Sequence, residues 1–149
     1  MTMKGFFKVA CLAVLVVPAV ALAQKESKAY GCDDVNWGPD VTSEFPNAQA
    51  ACHGVTMKNG QPFAKFSTEL VDANKSEATL NVLDRSGKPL SRIKVAIDEN
   101  TAVKIDGANM KVAKLPKGTR MNFYVAHDKW GLYADPDSAP LRIISREDI

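Results

Sequence analysis

The residues of this chain best suited to hold a metal are its two histidines, His53 and His127, and the methionines Met57, Met110 and Met121. Thioether and imidazole groups, with a ring such as Trp130 nearby, suit Cu(I) in an oxidising compartment. These side chains are scattered, however. No Met-x-Met or His-x-x-Met cluster occurs, and Met110 and Met121 fall at positions of alternating strands expected to point inward, where a methionine is core. No metal and no cofactor is expected on this evidence, although a periplasmic copper-binding protein stands as one alternative reading. The adjacent acids Asp33-Asp34 and Asp98-Glu99 could serve acid–base chemistry or calcium, but neighbours on an extended segment face opposite ways, and neither pair opens an EF-hand loop. Solvated turns are the simpler expectation for them, and for His127-Asp128. The chain contains no GxSxG, no HExxH and no glycine-rich phosphate loop, so no residue is assigned a catalytic role and the chain is read as a non-enzyme. Asn74-Lys75-Ser76 has the form of a glycosylation sequon in an expected turn.

Recognition is the chemistry that remains. Trp37, Tyr124, Trp130 and Tyr133 carry large amphipathic rings, and the order Asn122-Phe123-Tyr124 in a strand turns Tyr124 to the face opposite Phe123. On an outer face such rings form a platform for a polymer or a protein. The competing expectation is that Trp130 and Tyr133 cap one end of the domain and that Trp37 covers a disulfide. A binding module of the cell envelope is the leading reading, with an envelope polymer or another exported protein as partner. A secreted inhibitor of a hydrolase is a further alternative, and Tyr133 to Pro140, rich in Asp and Pro, is its projecting loop.

These rings need a frame, and the frame depends on where the chain is sent. Lys4 and Lys8 precede an uncharged run from Val9 to Ala23 that ends in Ala21, Leu22, Ala23. That is the pattern of a secretory signal peptide over residues 1–23, too short to span a bilayer and removed after export, which leaves no membrane span. A periplasmic or secreted location follows. The whole chain has 19 basic and 17 acidic residues; the segment 1–23 holds two lysines and no acid, which leaves 17 of each. A formally neutral chain lacks the excess of Lys and Arg that nucleic acid requires. Cys11 leaves with the signal, and Cys32 and Cys52 remain in a place where thiols oxidise. They are expected to form a disulfide that stabilises the fold by roughly 3 kcal/mol.

The elements follow from period and punctuation. Residues 24–53 read as a disulfide-tied N-terminal segment. In it Asp33 to Asp40 is a turn-rich loop, Pro46 starts one short helix through Ala48 to Cys52, and Gly54 caps it. Residues 54–149 read as strands, in one domain with the preceding segment. Asn59-Gly60 is a hairpin turn joining Val55–Lys58 to a longer strand near Phe63 to Val71. Ala78, Leu80 and Val82 alternate, as do Ile93, Val95 and Ile97 opposite Arg92, Lys94 and Asp98. Val103 and Ile105 continue the pattern to Gly107, and Met110 with Val112 resume it. Met121, Phe123 and Val125 form another strand, Trp130 to Tyr133 a possible hairpin, and Leu141 with Ile143 the closing strand. Five to seven consecutive short strands predict a mainly β domain, a small antiparallel barrel of OB- or SH3-like form.

The stretch Val103 to Val125 carries an Ile105-Asp106-Gly107 turn, Leu115 three residues before Gly118, and the strand Met121-Asn122-Phe123-Tyr124-Val125. With the cysteine pair around Pro46-Asn47-Ala48-Gln49-Ala50-Ala51-Cys52, it resembles uncharacterised exported small β-barrel proteins of bacteria. The resemblance implies a fold and a compartment, and it carries no activity or site residue.

Overall fold

Asn59 and Gly60 stand at φ 49° and 76°, and Asp106 and Gly107 at 50° and 81°. Two successive left-handed residues twist a two-residue turn in the sense that paired strands require, and Asn-Gly and Asp-Gly reach that geometry most cheaply. Each turn therefore closes a hairpin at the expected place. The computed structural model describes residues 30–149; the expected signal peptide, residues 1–23, lies outside the described residues. The strands are β1 (Cys52–Lys58), β2 (Gln61–Ala73), β3 (Glu77–Leu83), β4 (Pro89–Ala96), β5 (Ala102–Ile105), β6 (Ala108–Lys111), β7 (Arg120–Ala126) and β8 (Ile143–Asp148). The fold is mainly β and antiparallel throughout, with β5 and β6 forming a separate two-stranded hairpin.

The thirteen residues of β2 organise the larger sheet. Along one edge β2 pairs first with β1, from Gln61 to Phe66, and then with β3, from Thr68 to Ala73. Its other edge pairs with β7 from Phe63 to Glu69. Phe66 thus has both Cys52 and Phe123 as neighbours, and Thr68 has both Val82 and Met121. β4 extends the sheet beyond β3, and β8 beyond β4. Register shifts at His53 in β1, Val71 in β2 and the end of β3 add local twist and let the sheet curl around its core. Beyond β7, single bridges join Tyr124 to Tyr133 and Leu132 to Leu141. Among the described residues these bridges do not extend into a continuous ladder, and no closed barrel forms. Trp130 to Tyr133, expected as a hairpin, shows these single bridges in place of a strand ladder.

The alternation in the sequence becomes an inside and an outside. Ala64, Phe66, Thr68 and Leu70 of β2, Ala78, Leu80 and Val82 of β3, Ser91, Ile93 and Val95 of β4, and Met121, Phe123 and Val125 of β7 are all buried. The two buried hydroxyls have partners that join neighbouring strands. Thr68 Oγ1 donates to Met121 O at 2.9 Å, and Ser91 Oγ donates to Glu147 O at 2.9 Å. Met121 is core as expected. Met110 is not: it is 42% exposed, because β6 lies on the outer side of its hairpin and all four of its residues face solvent. Val112, expected to resume a strand, is buried in a 3-10 turn, Val112–Lys114.

The N-terminal segment departs most from the expected outline. It holds two short helices, α1 (Pro39–Glu44) and α2 (Ala48–Ala51), preceded by a 3-10 turn at Cys32–Asp34. Part of the expected loop Asp33 to Asp40 is therefore helical. Pro39 is the first residue of α1, a place where a missing N–H costs nothing, and Val41 and Phe45 bury the helix against the sheet. α2 begins after Pro46, and its C-cap is Cys52, which starts β1 directly. Gly54 is a β1 residue opposite Lys65 and caps no helix. The Cys32–Cys52 disulfide forms as expected, with a Cα–Cα separation of 5.8 Å, and Cys52 is fully buried.

Three of the connections between strands share another device, a side-chain oxygen that accepts from the turn. Asn74 Oδ1 accepts from Ser76 N and Glu77 N, both at 2.8 Å, and from Ser76 Oγ at 3.1 Å. The sequon asparagine thus serves as the acceptor of the β2–β3 turn. Asp84 does the same in the β3–β4 turn, accepting from Ser86 N, Ser86 Oγ and Lys88 N at 2.7–2.9 Å. Asp98 accepts from Asn100 N and Thr101 Oγ1, so that member of the paired acids is a turn residue, as expected.

Two outcomes follow from these contacts. Replacing both cysteines, as Cys32→Ala with Cys52→Ala, should lower the free energy of unfolding by about 2–4 kcal/mol, measured by denaturant titration of oxidised protein against the variant. The Ser86 hydroxyl, then the Lys88 N–H, hold the Asp84 carboxyl below the usual aspartate range. Its contribution is present in full above about pH 4, the unfolded value, and is lost as pH falls through the lower folded value. The stability advantage of the native protein over Asp84→Asn should therefore shrink on acidification below about pH 4; a difference independent of pH would contradict the assignment.

Candidate recognition surface

The four aromatic residues singled out by the sequence divide into two pairs with different surroundings. Trp37 and Trp130 belong to the joint between α1 and the sheet. Gly38 N donates to His127 O at 2.7 Å, Trp130 N donates to Asp40 Oδ2 at 2.9 Å, and His127 Nδ1 lies 3.1 Å from Asn36 O. A Cβ on Gly38 would stand 3.0 Å from Asp128 Cα, so the two backbones meet at a distance that only glycine allows comfortably. This stitching brings Phe45, just after α1, against Trp130, with ring centroids 5.2 Å apart and planes 13° from parallel. Phe45 also meets Phe66 at 5.6 Å, Trp37 meets Phe66 at 6.3 Å, and the Arg146 guanidinium lies 5.6 Å from the Phe45 ring centre. Trp37 Nε1 donates to Gln49 Oε1 at 2.7 Å, and Gln49 Nε2 donates to Cys32 O at 3.1 Å. The two tryptophans are half-buried parts of the packing at this end of the sheet, and Trp37 is linked to the disulfide through Gln49.

Tyr124 and Tyr133 are placed differently. Tyr124 N donates to Tyr133 O and Tyr133 N to Tyr124 O, both at 2.8 Å. Residues that exchange both backbone bonds lie directly opposite each other and send their side chains to the same face. That face is the outer one, because Phe123, Val125 and Leu132 on either side of the tyrosines are buried. Phe63 shares it, and the Tyr133 ring meets the Phe63 ring edge-on at 5.5 Å. The register continues the row inward from Tyr133 and Tyr124 to Lys65 of β2 and Gly54 of β1. Ser67 and Asn122 form the next outward pair, followed by Glu69 with Arg120, whose charged groups approach to 3.9 Å. From there a polar ladder runs across five strands through Asn81, Arg92 and Glu147, with Arg92 Nε donating to Asn81 Oδ1 at 3.2 Å. The outside of the curled sheet therefore carries two half-buried tyrosines at one side and fixed polar groups across the rest.

Two open clefts compete with this face. One, of about 600 Å³, lies between α2 and the β3–β4 turn and is lined by Asn47, Gln49, Asp84 and Arg85. Arg85 is already engaged: Nε donates to Cys52 O at 3.2 Å and a terminal nitrogen to Gln49 O at 3.5 Å. The other, of about 610 Å³, lies between the β5–β6 hairpin and residues 134–141. Its acids Asp98 and Asp135 accept hydrogen bonds from their own turns. The loop Tyr133 to Pro140 is tied back as well as exposed. Asp137 pairs with Lys58, and a Cβ on Gly131 would stand 3.2 Å from Pro140 Cβ.

The residues of the copper reading are spread over several elements, with only His53 and Met57 sharing one, β1. Met57 is on β1 and Met110 on β6, Met121 is in the core, His53 Nε2 lies 3.1 Å from Leu83 O, and His127 faces Asn36. Phe45, Phe63 and Lys65 enter the aromatic and outward groups without having been picked out by sequence. Lys65 and Phe63 share the parity of β2 that faces away from Phe66, which is the signal that could have found them. No family model, curated protein or solved structure matches this chain.

The packing at Phe45 can be tested directly. Phe45→Ala removes a ring in contact with Phe66 and Trp130 and should cost about 3–5 kcal/mol, read by chemical denaturation, with a red shift of tryptophan emission as Trp130 loses its cover.

Proposed function

We propose that this chain is an exported binding module that takes an extended envelope polymer on the outer face of β1, β2 and β7, with Tyr124 and Tyr133 as its platform. The observation that carries this reading is the doubly bonded Tyr124–Tyr133 pair, which sends two tyrosine side chains to the same face. Tyrosine has only two χ angles to restrain, and the Tyr133 ring is already packed on Phe63, so contact with these rings costs little conformational freedom on binding. Tyrosine supplies an apolar face and a hydroxyl together, the combination a sugar ring or a partly apolar chain needs. Ser67 and Asn122 add hydroxyl and amide groups one row away. Export rests on the signal-peptide pattern of residues 1–23, and the Cys32–Cys52 disulfide is compatible with an oxidising compartment. No helix among the described residues is long and apolar enough to cross a membrane. In the same reading the curled sheet is a small OB- or SH3-like barrel, brought towards closure through the bridges Tyr124–Tyr133 and Leu132–Leu141 in the chain beyond β7.

The test is a panel of cell-wall and envelope polysaccharides titrated against the oxidised protein. Tyr124→Ala should weaken the best ligand about tenfold while the melting temperature stays near the native value, since Tyr124 supports no ring beneath it. Tyr133→Ala should weaken binding similarly and also lower stability, because it uncovers Phe63. Unchanged affinity in both variants would remove this face from consideration.

A further inference from the structure

Resting on that reading of the face, we infer that the ligand is an acidic polysaccharide, a polymer whose sugar rings carry carboxylates, and that Lys65 is the residue that selects the charge. Lys65 stands in the cross-strand row between Gly54 and Tyr124, with Tyr133 next beyond. Its ammonium has no carboxylate partner among the described residues. The acids nearest in register are committed elsewhere: Glu69 to Arg120, and Asp137 of the following loop to Lys58. The tyrosine row therefore carries one uncompensated positive charge.

The position of that charge is constrained. A Cβ on Gly54 would lie 3.6 Å from Lys65 Cε and 3.9 Å from Nζ, so the lysine stem lies along the sheet over the glycine and does not stand out into water. Lys65 is half-buried, and its laid-down stem has given up part of its rotamer freedom before any ligand arrives. Adjacent strands lie about 4.8 Å apart, so the step from Tyr133 to Tyr124 to Lys65 repeats at about the length of one pyranose ring. A chain lying across the strands can stack successive rings on the tyrosines and bring the carboxylate of a later ring to the Lys65 ammonium, which lies over Gly54 of β1. A neutral polymer would make the same stacking contacts but cover the ammonium without pairing it, and an unpaired charge taken out of water is costly. An acidic polymer pairs it, and the attraction also favours encounter.

A peptide fits the same features less well. Both edges of β2 are occupied at this point, so an extended peptide cannot add a strand here, and Phe63 fills the space beside Tyr133 where a side chain would need a pocket.

The experiment uses oxidised full-length mature protein, with polygalacturonate as the acidic probe and dextran as the neutral one, by calorimetry at low and moderate salt. Polygalacturonate should bind at least tenfold more tightly than dextran, and added sodium chloride should weaken it. Lys65→Gln should lower affinity for polygalacturonate about tenfold, strengthen the weak dextran binding by removing the covered unpaired charge, and abolish most of the salt dependence. Equal affinity for the two polymers, with Lys65→Gln indistinguishable from native and Tyr124→Ala defective, would overturn the inference while leaving the face as a binding site. Binding of polygalacturonate that neither Lys65→Gln nor Tyr124→Ala alters, or no binding of either polymer, would overturn both. Lys65→Arg, which keeps the charge, should retain salt-sensitive binding; its loss would also count against charge selection by Lys65.

Discussion

A strand has two edges, and β2 uses both of them for most of its length. One edge holds β7 and the other holds β1 and then β3 in succession, so four strands meet along a single thirteen-residue segment. Because successive side chains alternate, this double pairing also fixes two layers at once. Ala64, Phe66, Thr68 and Leu70 go to the core, and Phe63, Lys65, Ser67 and Glu69 go to the outer face. A one-residue slip of β2 would exchange the two sets and bury Lys65 and Glu69. The apolar cost of that exchange is what holds the outer row in register with Tyr124.

Phe66 is where the sheet and the helical segment become one structure. It lies between Cys52 and Phe123 in the sheet and receives Phe45 and Trp37 from the N-terminal segment. The disulfide reinforces this joint from the other side, since Cys52 is the residue paired with Phe66. α1 and α2 are too short to be stable by themselves, and their existence depends on burying Val41, Phe45, Ala48 and Ala51 here. The same joint explains why the two tryptophans, prominent in the sequence, are occupied in holding the molecule together.

Where a residue's role is decided locally, the sequence was readable. Asn59-Gly60 and Asp106-Gly107 specify their turns by backbone preference, and the alternation through Ile93, Val95 and Met121, Phe123, Val125 identifies strands and their inner faces. The cysteine pair was readable because residues 24–149 contain two cysteines, which can bond only to each other within the chain. Where a role is decided by a distant neighbour, it was not. Gly38-Pro39 reads equally as a loop or as a helix start, and only the docking of Phe45 on Phe66 selects the helix. Gly54 resembles a helix cap until the pairing of Cys52 with Phe66 begins a strand two residues earlier. Alternation gave Met110 a side but not the fact that nothing covers that side. The candidate face follows the same division: Tyr124 was visible as an outward residue, whereas its pairing with Tyr133 and the placing of Lys65 beside it depend on register across strands remote in sequence.

That remoteness bears on how the protein reaches its shape. β1 to β4 are joined by successive short hairpins and can pair soon after each is available, and the cysteines close a local loop beside them. The partners of β7 and β8 lie about fifty or more positions upstream in the chain, and contacts of that range are the slow ones in a β fold. Both strands are late in the chain, so their pairing must wait until almost all of it has been delivered. In the interval, the β7 edge of β2 and the β8 edge of β4 are open strands with a partly formed core beneath them, the condition in which β proteins associate with one another. The row that carries Tyr124 and Tyr133 is thus completed only after β7 has paired, and a ligand of the kind proposed would select chains in which that late pairing is done.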